Sequence, residues 1–115
     1  MSPSRGGAAL QAPAAAPLFA ALGDATRLGL LRRLSADGPL SIARLSEGTG
    51  VTRQAITRHL QTLETAGLVR DTRHGRERVF ELEVKRLEKA RQYLDQVALQ
   101  WEAAAQRLKA FVERG

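Results

Sequence analysis

Between Thr52 and Ala66 the apolar residues Ile56, Leu60 and Leu63 recur at intervals of four and three, with Gln54, Arg58 and Gln61 interspersed. On a helix that spacing gathers the first set on one stripe and turns the second set outward. Thr52 is suited to accept a free N–H of the first turn, and Gly67 to take the left-handed conformation that ends a helix. A helix is therefore expected from about Arg53 to Ala66. A shorter amphipathic segment precedes it, capped by Ser41, with Ile42, Ala43 and Leu45 inward, and Gly48-Thr49-Gly50 supplies the turn between the two. Helix, glycine-containing turn and second helix with a polar outer face form the pattern of a helix-turn-helix. Paired amphipathic helices of this kind also occur in proteins that never touch nucleic acid.

The period then shortens. LVRDTRHGRERVFEL, directly after Gly67, reads as a hairpin turning at His74-Gly75, since glycine adopts positive φ without strain. Pairing outward sets Arg73 opposite Arg76, Thr72 opposite Glu77, Asp71 opposite Arg78, Arg70 opposite Val79 and Val69 opposite Phe80. The apolar pair lies at the base and the arginines at the tip, as in a wing that reaches for phosphates.

Upstream, Pro17 suits the first turn of a short helix containing Leu18, Phe19 and Leu22, and Gly23 ends it. Asp24 then caps a helix to about Ser35, with Leu28, Leu31 and Leu34 on its buried stripe and Arg27, Arg32 and Arg33 flanking it. Arg27 can touch a phosphate or pair with an acid at the core edge, and the second role is favoured. Residues 1–16, rich in Gly, Ala, Pro and Ser and without a secretory pattern, read as a disordered tail. Beyond Leu82 the apolar positions Leu87, Ala90, Leu94, Val97, Trp101, Ala104, Leu108 and Phe111 alternate steps of three and four, a heptad seam held to about Val112. A helix of about 28 residues would be about 42 Å long, more than so small a domain can cover, so part of the seam needs another surface. The expected organisation is a tail (1–16), a winged helix-turn-helix (17–83) and a long dimerisation helix (84–113) within one compact domain, mainly α with a small β-hairpin.

Composition narrows the partner. The chain of 115 residues has no long apolar run, which excludes a membrane span and predicts a cytoplasmic protein. Zero cysteines remove disulfides and thiol switching. Its 18 basic and 12 acidic residues leave a net charge of +6, favouring a polyanion. From Thr52 to Phe80 six arginines face three acids, so the excess coincides with the helix and the hairpin.

The run from Phe19 to Leu82 resembles the ArsR-type winged-helix transcriptional regulators of bacteria and archaea. Gly23-Asp24-Ala25-Thr26-Arg27, Thr57-Arg58-His59-Leu60, Gly67-Leu68-Val69 and His74-Gly75-Arg76 carry the likeness, in that order. The resemblance implies a homodimeric repressor paired through its first and last helices, here Phe19 and Leu22 with Leu94, Val97, Trp101, Leu108 and Phe111. Two recognition helices about 34 Å apart then imply a palindromic operator in double-stranded DNA. Metal-sensing members of the family carry a Cys-x-Cys pair where this chain has Ser41-Ile42-Ala43, and others use histidines of the last helix, which has none here. His59 and His74 are too far apart in such a fold to share an ion, so no metal and no cofactor is expected. His59 is expected to pack and hydrogen-bond at the rim of the helix-turn-helix core.

DNA roles follow from direction and chemistry. Gln54 and Arg58 suit bidentate contacts to adenine and guanine, with Gln61 further along the same face. Thr52, Arg53 and Thr57 suit phosphates, while Arg73, His74, Arg76 and Arg78 belong to a wing suited to phosphates or the minor groove. No phosphate loop, nucleophile-base pair or carboxylate pair at a cleft suggests an enzyme. Two alternatives stay open: a small-molecule-responsive regulator with its effector near Tyr93 and Trp101, and a winged-helix module for protein contacts.

Overall fold

The computed structural model describes residues 10–115. Along the chain these form α1 (Ala12–Leu22), α2 (Ala25–Asp37), β1 (Leu40–Ser41), α3 (Ile42–Ser46), α4 (Arg53–Thr65), β2 (Val69–His74), β3 (Glu77–Leu82) and α5 (Val84–Arg114). One apolar cluster joins them, with Leu18 of α1, Leu34 of α2, Leu45 of α3, Leu60 of α4 and Phe80 of β3 all buried.

Helix α1 begins at Ala12, five residues before the expected start at Pro17, so residues 12–16 of the anticipated tail are helical. Residues 1–9 of that tail lie outside the described residues. Pro13 occupies the first turn, where its missing N–H is harmless, and the alanines around it are the strongest helix formers. Pro17 consequently falls inside the helix, where a proline removes one backbone hydrogen bond. Burial of Ala15, Leu18 and Ala21 opposes that loss.

In α2 the expected cap is present: the Asp24 carboxylate accepts the Arg27 N–H at 3.0 Å. Its buried face is Leu30, Leu31 and Leu34, whereas Leu28 is 50% exposed. A run with four leucines offers two overlapping stripes, and the one containing the i, i+4 pair Leu30 and Leu34 faces the core.

The helix-turn-helix agrees closely with its sequence. Ser41 Oγ accepts from Arg44 N and caps α3, and Thr52 Oγ1 accepts from Ala55 N and caps α4. Ile56, Leu60 and Leu63 are fully buried. At the end of α4, Gly67 has φ +79, its N–H donates to Glu64 O, and Leu68 N–H donates to Leu63 O. That reciprocal pair closes the last turn and drops Leu68 into the core beside Leu63.

The sheet differs from expectation in two ways. It has three antiparallel strands in the order β1-β3-β2, because Leu40 and Ser41 pair with Phe80 and Val79. The hairpin turns at Gly75-Arg76 rather than His74-Gly75, giving Val69↔Leu82, Arg70↔Glu81, Asp71↔Phe80, Thr72↔Val79, Arg73↔Arg78 and His74↔Glu77. Gly75, at φ +68, thus takes the first turn position, where both tight hairpin turns need positive φ. The change moves each partner by two residues, which preserves the faces and places Arg70 directly opposite Glu81.

Helix α5 leaves the body. Its only fully buried residue is Ala90, and beyond Val97 every position is exposed. Near its start it meets α1, where the rings of Phe19 and Tyr93 pack 5.7 Å apart at 47°.

Leu60→Ala should lower unfolding free energy by about 2–5 kcal/mol, because the fully buried site lies where α4 meets the common core. Urea denaturation followed by circular dichroism measures it, and a loss well under 1 kcal/mol would contradict this packing.

Candidate nucleic-acid interface

The caps and buried stripe of α4 fix its outer face. Gln54, Arg58 and Gln61 are exposed there, and within the described residues none of their side chains is engaged. Thr52 uses an oxygen lone pair for its cap, leaving its O–H free to donate to a phosphate. Arg53, exposed beside it, has no partner among the described residues. Thr57 is half-buried and its hydroxyl already donates to Arg53 O at 2.9 Å, so its one proton is committed within the helix. Ile42 of α3 joins Arg53, Gln54, Thr57 and Arg58 in lining a shallow hollow beside α4. Its place in the sequence pattern points only to the core.

On the wing the charges separate into two groups. Arg70 pairs with Glu81 and Glu83 near the base, and its pKa is raised mainly by the hydrogen bond to Glu81. Arg78 donates to Asp71 at 2.7 Å and lies over the Phe80 ring at 5.2 Å. It therefore braces the wing while remaining half-exposed, and the Asp71 pairing expected directly across the strands is made on the diagonal. Arg73, His74 and Arg76 stand exposed at the tip with no ion pair among the described residues. Four cations without partners, Arg53, Arg58, Arg73 and Arg76, thus lie on α4 and the wing tip; Arg32 of α2 and Lys85, Arg107, Lys109 and Arg114 of α5 are likewise unpaired among the described residues.

Three other arginines are structural. Arg27 Nε donates to Ala21 O at 2.6 Å at the end of α1, Arg33 to Leu45 O at 3.0 Å at the end of α3, and Arg86 to Ala66 O at 3.3 Å at the end of α4. Each places a positive charge where a helix leaves carbonyls unpaired. His59, half-buried, lies at the rim of the core with Nδ1 3.1 Å from Arg27 Nη1.

Of the expected dimer contacts, Phe19, Leu22 and Val97 are half-buried, while Leu94, Trp101, Leu108 and Phe111 are exposed, Trp101 and Phe111 by 72% each. Tyr93 packs on Phe19, and Trp101 stands about two turns further along α5. Among the described residues no three His, Asp or Glu side chains converge as metal ligands would.

Comparison with known proteins gives the same fold. The helix-turn-helix domain family matches residues 22–72. The HTH-type transcriptional regulator Rv2034 of Mycobacterium tuberculosis is 41% identical over 75 residues, covering 65% of this chain and 69% of that protein. An ArsR-like transcriptional regulator from Rhodococcus sp. RHA1 superposes with a TM-score of 0.75 at 31% identity, over 86% of this chain and 92% of that one. The homodimeric winged helix-turn-helix DNA-binding domain Mb0332 of Mycobacterium bovis does so with a TM-score of 0.61 at 26% identity, over 84% and 83%.

Arg58→Ala should cost about 1–3 kcal/mol of duplex binding and relax preference at one base pair, as measured by titrating cognate and scrambled DNA. Arg76→Ala should weaken both duplexes alike and reduce the salt slope by about 0.9, whereas Arg78→Ala, removing a cation already paired, should leave that slope nearly unchanged. Equal salt slopes for the two wing variants would contradict the division of charges.

Proposed function

This chain belongs to the ArsR-type winged helix-turn-helix transcriptional regulators, and we propose that it acts as a homodimeric repressor on a palindromic operator, without control by soft metals or thiols. The observation that carries the reading is the coincidence of the partner-free polar face of α4 with partner-free arginines at the wing tip. Gln54, Arg58 and Gln61 would enter the major groove, Thr52 and Arg53 would hold the flanking phosphates, and Arg73, His74 and Arg76 would follow the adjoining backbone or minor groove. Thr57 would contribute shape beside the backbone, its proton being committed to Arg53 O.

The dimer reading is supported by α5. Leu94, Trp101, Leu108 and Phe111 hold an apolar seam in water, and a second copy, which carries the same seam, would cover it together with Phe19 and Leu22. The homodimeric Mycobacterium bovis relative supports the same arrangement. Two-fold pairing would present two reading heads to one side of a duplex, about one helical turn apart. A dimer so placed over a promoter excludes polymerase, which is repression by occupancy in the cytoplasm. The absence of cysteine removes the ligands and the thiols on which soft-metal or redox release would act.

Selection from random duplexes at physiological salt should enrich a palindrome with half-sites about 10 base pairs apart, and no enrichment from a folded dimer would overturn the operator reading. Replacing Trp101 and Leu108 together by Glu should give a monomer in sedimentation and lower operator affinity at least tenfold, since each monomer would then hold one half-site. A persistent dimer would move the interface elsewhere.

A further inference from the structure

Arg27 and His59 lie 32 positions apart and meet at the junction of three helices. From α2 the Arg27 guanidinium spreads in three directions: Nε to Ala21 O at 2.6 Å, Nη2 to Ala20 O at 3.4 Å, and Nη1 to His59 Nδ1 at 3.1 Å. The first two carbonyls close α1, which carries Phe19 and Leu22. The third partner belongs to α4, one residue from Arg58. A guanidinium has donors and no acceptor, so His59 Nδ1 must accept, which requires a neutral imidazole carrying its proton on Nε2.

On the other side of the same nitrogen, Asp24 Oδ2 lies 3.9 Å from His59 Nδ1. That carboxylate caps α2 through Arg27 N–H, and this backbone hydrogen bond, ahead of the attraction of His59, holds the Asp24 pKa below its usual range. It therefore stays charged wherever a histidine titrates. Of the charged groups near His59, Asp24 and Arg27 come from the α2 side and Arg58 precedes it on α4, while α1 contributes only carbonyls and has no ionisable side chain. A proton on Nδ1 replaces the acceptor that Arg27 uses with a second cation and turns the imidazole toward Asp24.

We propose that Arg27 and His59 are a positioning pair that seats the recognition helix against the first helix, and that it works only with His59 neutral, so that operator affinity falls as this histidine is protonated. The inference rests on the operator-binding reading for its effect on DNA. Neither side chain need touch the duplex: Arg27 is bound on three sides, and His59 is turned to the rim of the core.

The chain's other histidine, His74, stands at the wing tip where phosphates are proposed to lie, so the test is made in a His74→Gln background. In that protein, operator affinity should fall about tenfold on acidification. Adding His59→Asn, whose Oδ1 lies where Nδ1 was and accepts at every pH, should retain the affinity measured before acidification and abolish the decline. An undiminished decline with asparagine would overturn the proposal. A second readout needs no DNA: ¹⁵N shifts of the His59 ring near pH 7.5 should show the Nε2–H tautomer, lost in Arg27→Lys. An Nδ1–H tautomer would refute the pair whatever the duplex result, and the expected tautomer without operator binding would uphold the pair while rejecting the operator reading.

Discussion

A helix that offers one face to a polyanion has only its other face with which to hold itself in place. Helix α4 has 13 residues, and its attachment comes down to Ile56, Leu60 and Leu63, all fully buried, with a hydroxyl cap at one end and a left-handed glycine at the other. The rest of the domain is arranged to meet that narrow stripe. Leu18 and Ala21 approach from α1, Leu30 and Leu34 from α2, Leu45 from α3, and Leu68 at once from the end of α4 itself. Such convergence makes the orientation of Arg58 a property of the whole core, because an interior at crystal-like density does not let one wall shift independently.

Electrostatics follows a parallel division of labour. Arg27, Arg33 and Arg86 bind the carbonyls of helix ends, and Arg70 and Arg78 pair with acids along the wing. These cations add little to the outward field, since their charge is met locally. On α4 and the wing tip, Arg53, Arg58, Arg73 and Arg76 have no partner among the described residues, while the other unmatched cations, Arg32, Lys85, Arg107, Lys109 and Arg114, sit on α2 and α5. The net charge of +6 is consequently a poor measure of the reading surface, and the placement of the unmatched residues is a better one.

What the sequence made legible follows from how local each signal is. The caps at Asp24, Ser41 and Thr52, the stripe of α4, the Gly67 terminus and the long α5 are encoded within a few residues, and each is present. The differences arise where distant partners choose between local options. Two leucine stripes were available in α2, and packing selected Leu30 over Leu28. Two turns were available around Gly75, and the register with Arg70 facing Glu81 prevailed. Composition up to residue 16 pointed to a tail and Pro17 to a helix start, but burial of Ala15 and Leu18 carried α1 through both Pro13 and Pro17. Two residues of β1 carry no period at all, so only their partners on β3 reveal them. The outward direction of the glutamines and arginines of α4 was readable from helical spacing, whereas the diagonal bond of Arg78 to Asp71 was not, because it depends on a register that sequence alone left ambiguous.

That two-residue strand constrains how the family member can vary. Ser41 pairs with Val79 of β3 and, through its side chain, starts α3. The wing and the helix-turn-helix are therefore hinged to a single residue rather than to a flexible connector, and the angle between them is set there. An added residue at the Gly75 tip would lengthen the wing without redirecting it. One added between Gly38 and Ser41 would rotate the pleat by a half-period and turn the outer face of α4 and the wing tip in different directions. On the proposed operator reading, diversification of sequence preference thus has an open route along the outer face of α4 and at the wing tip, and a closed one through the connector that precedes α3.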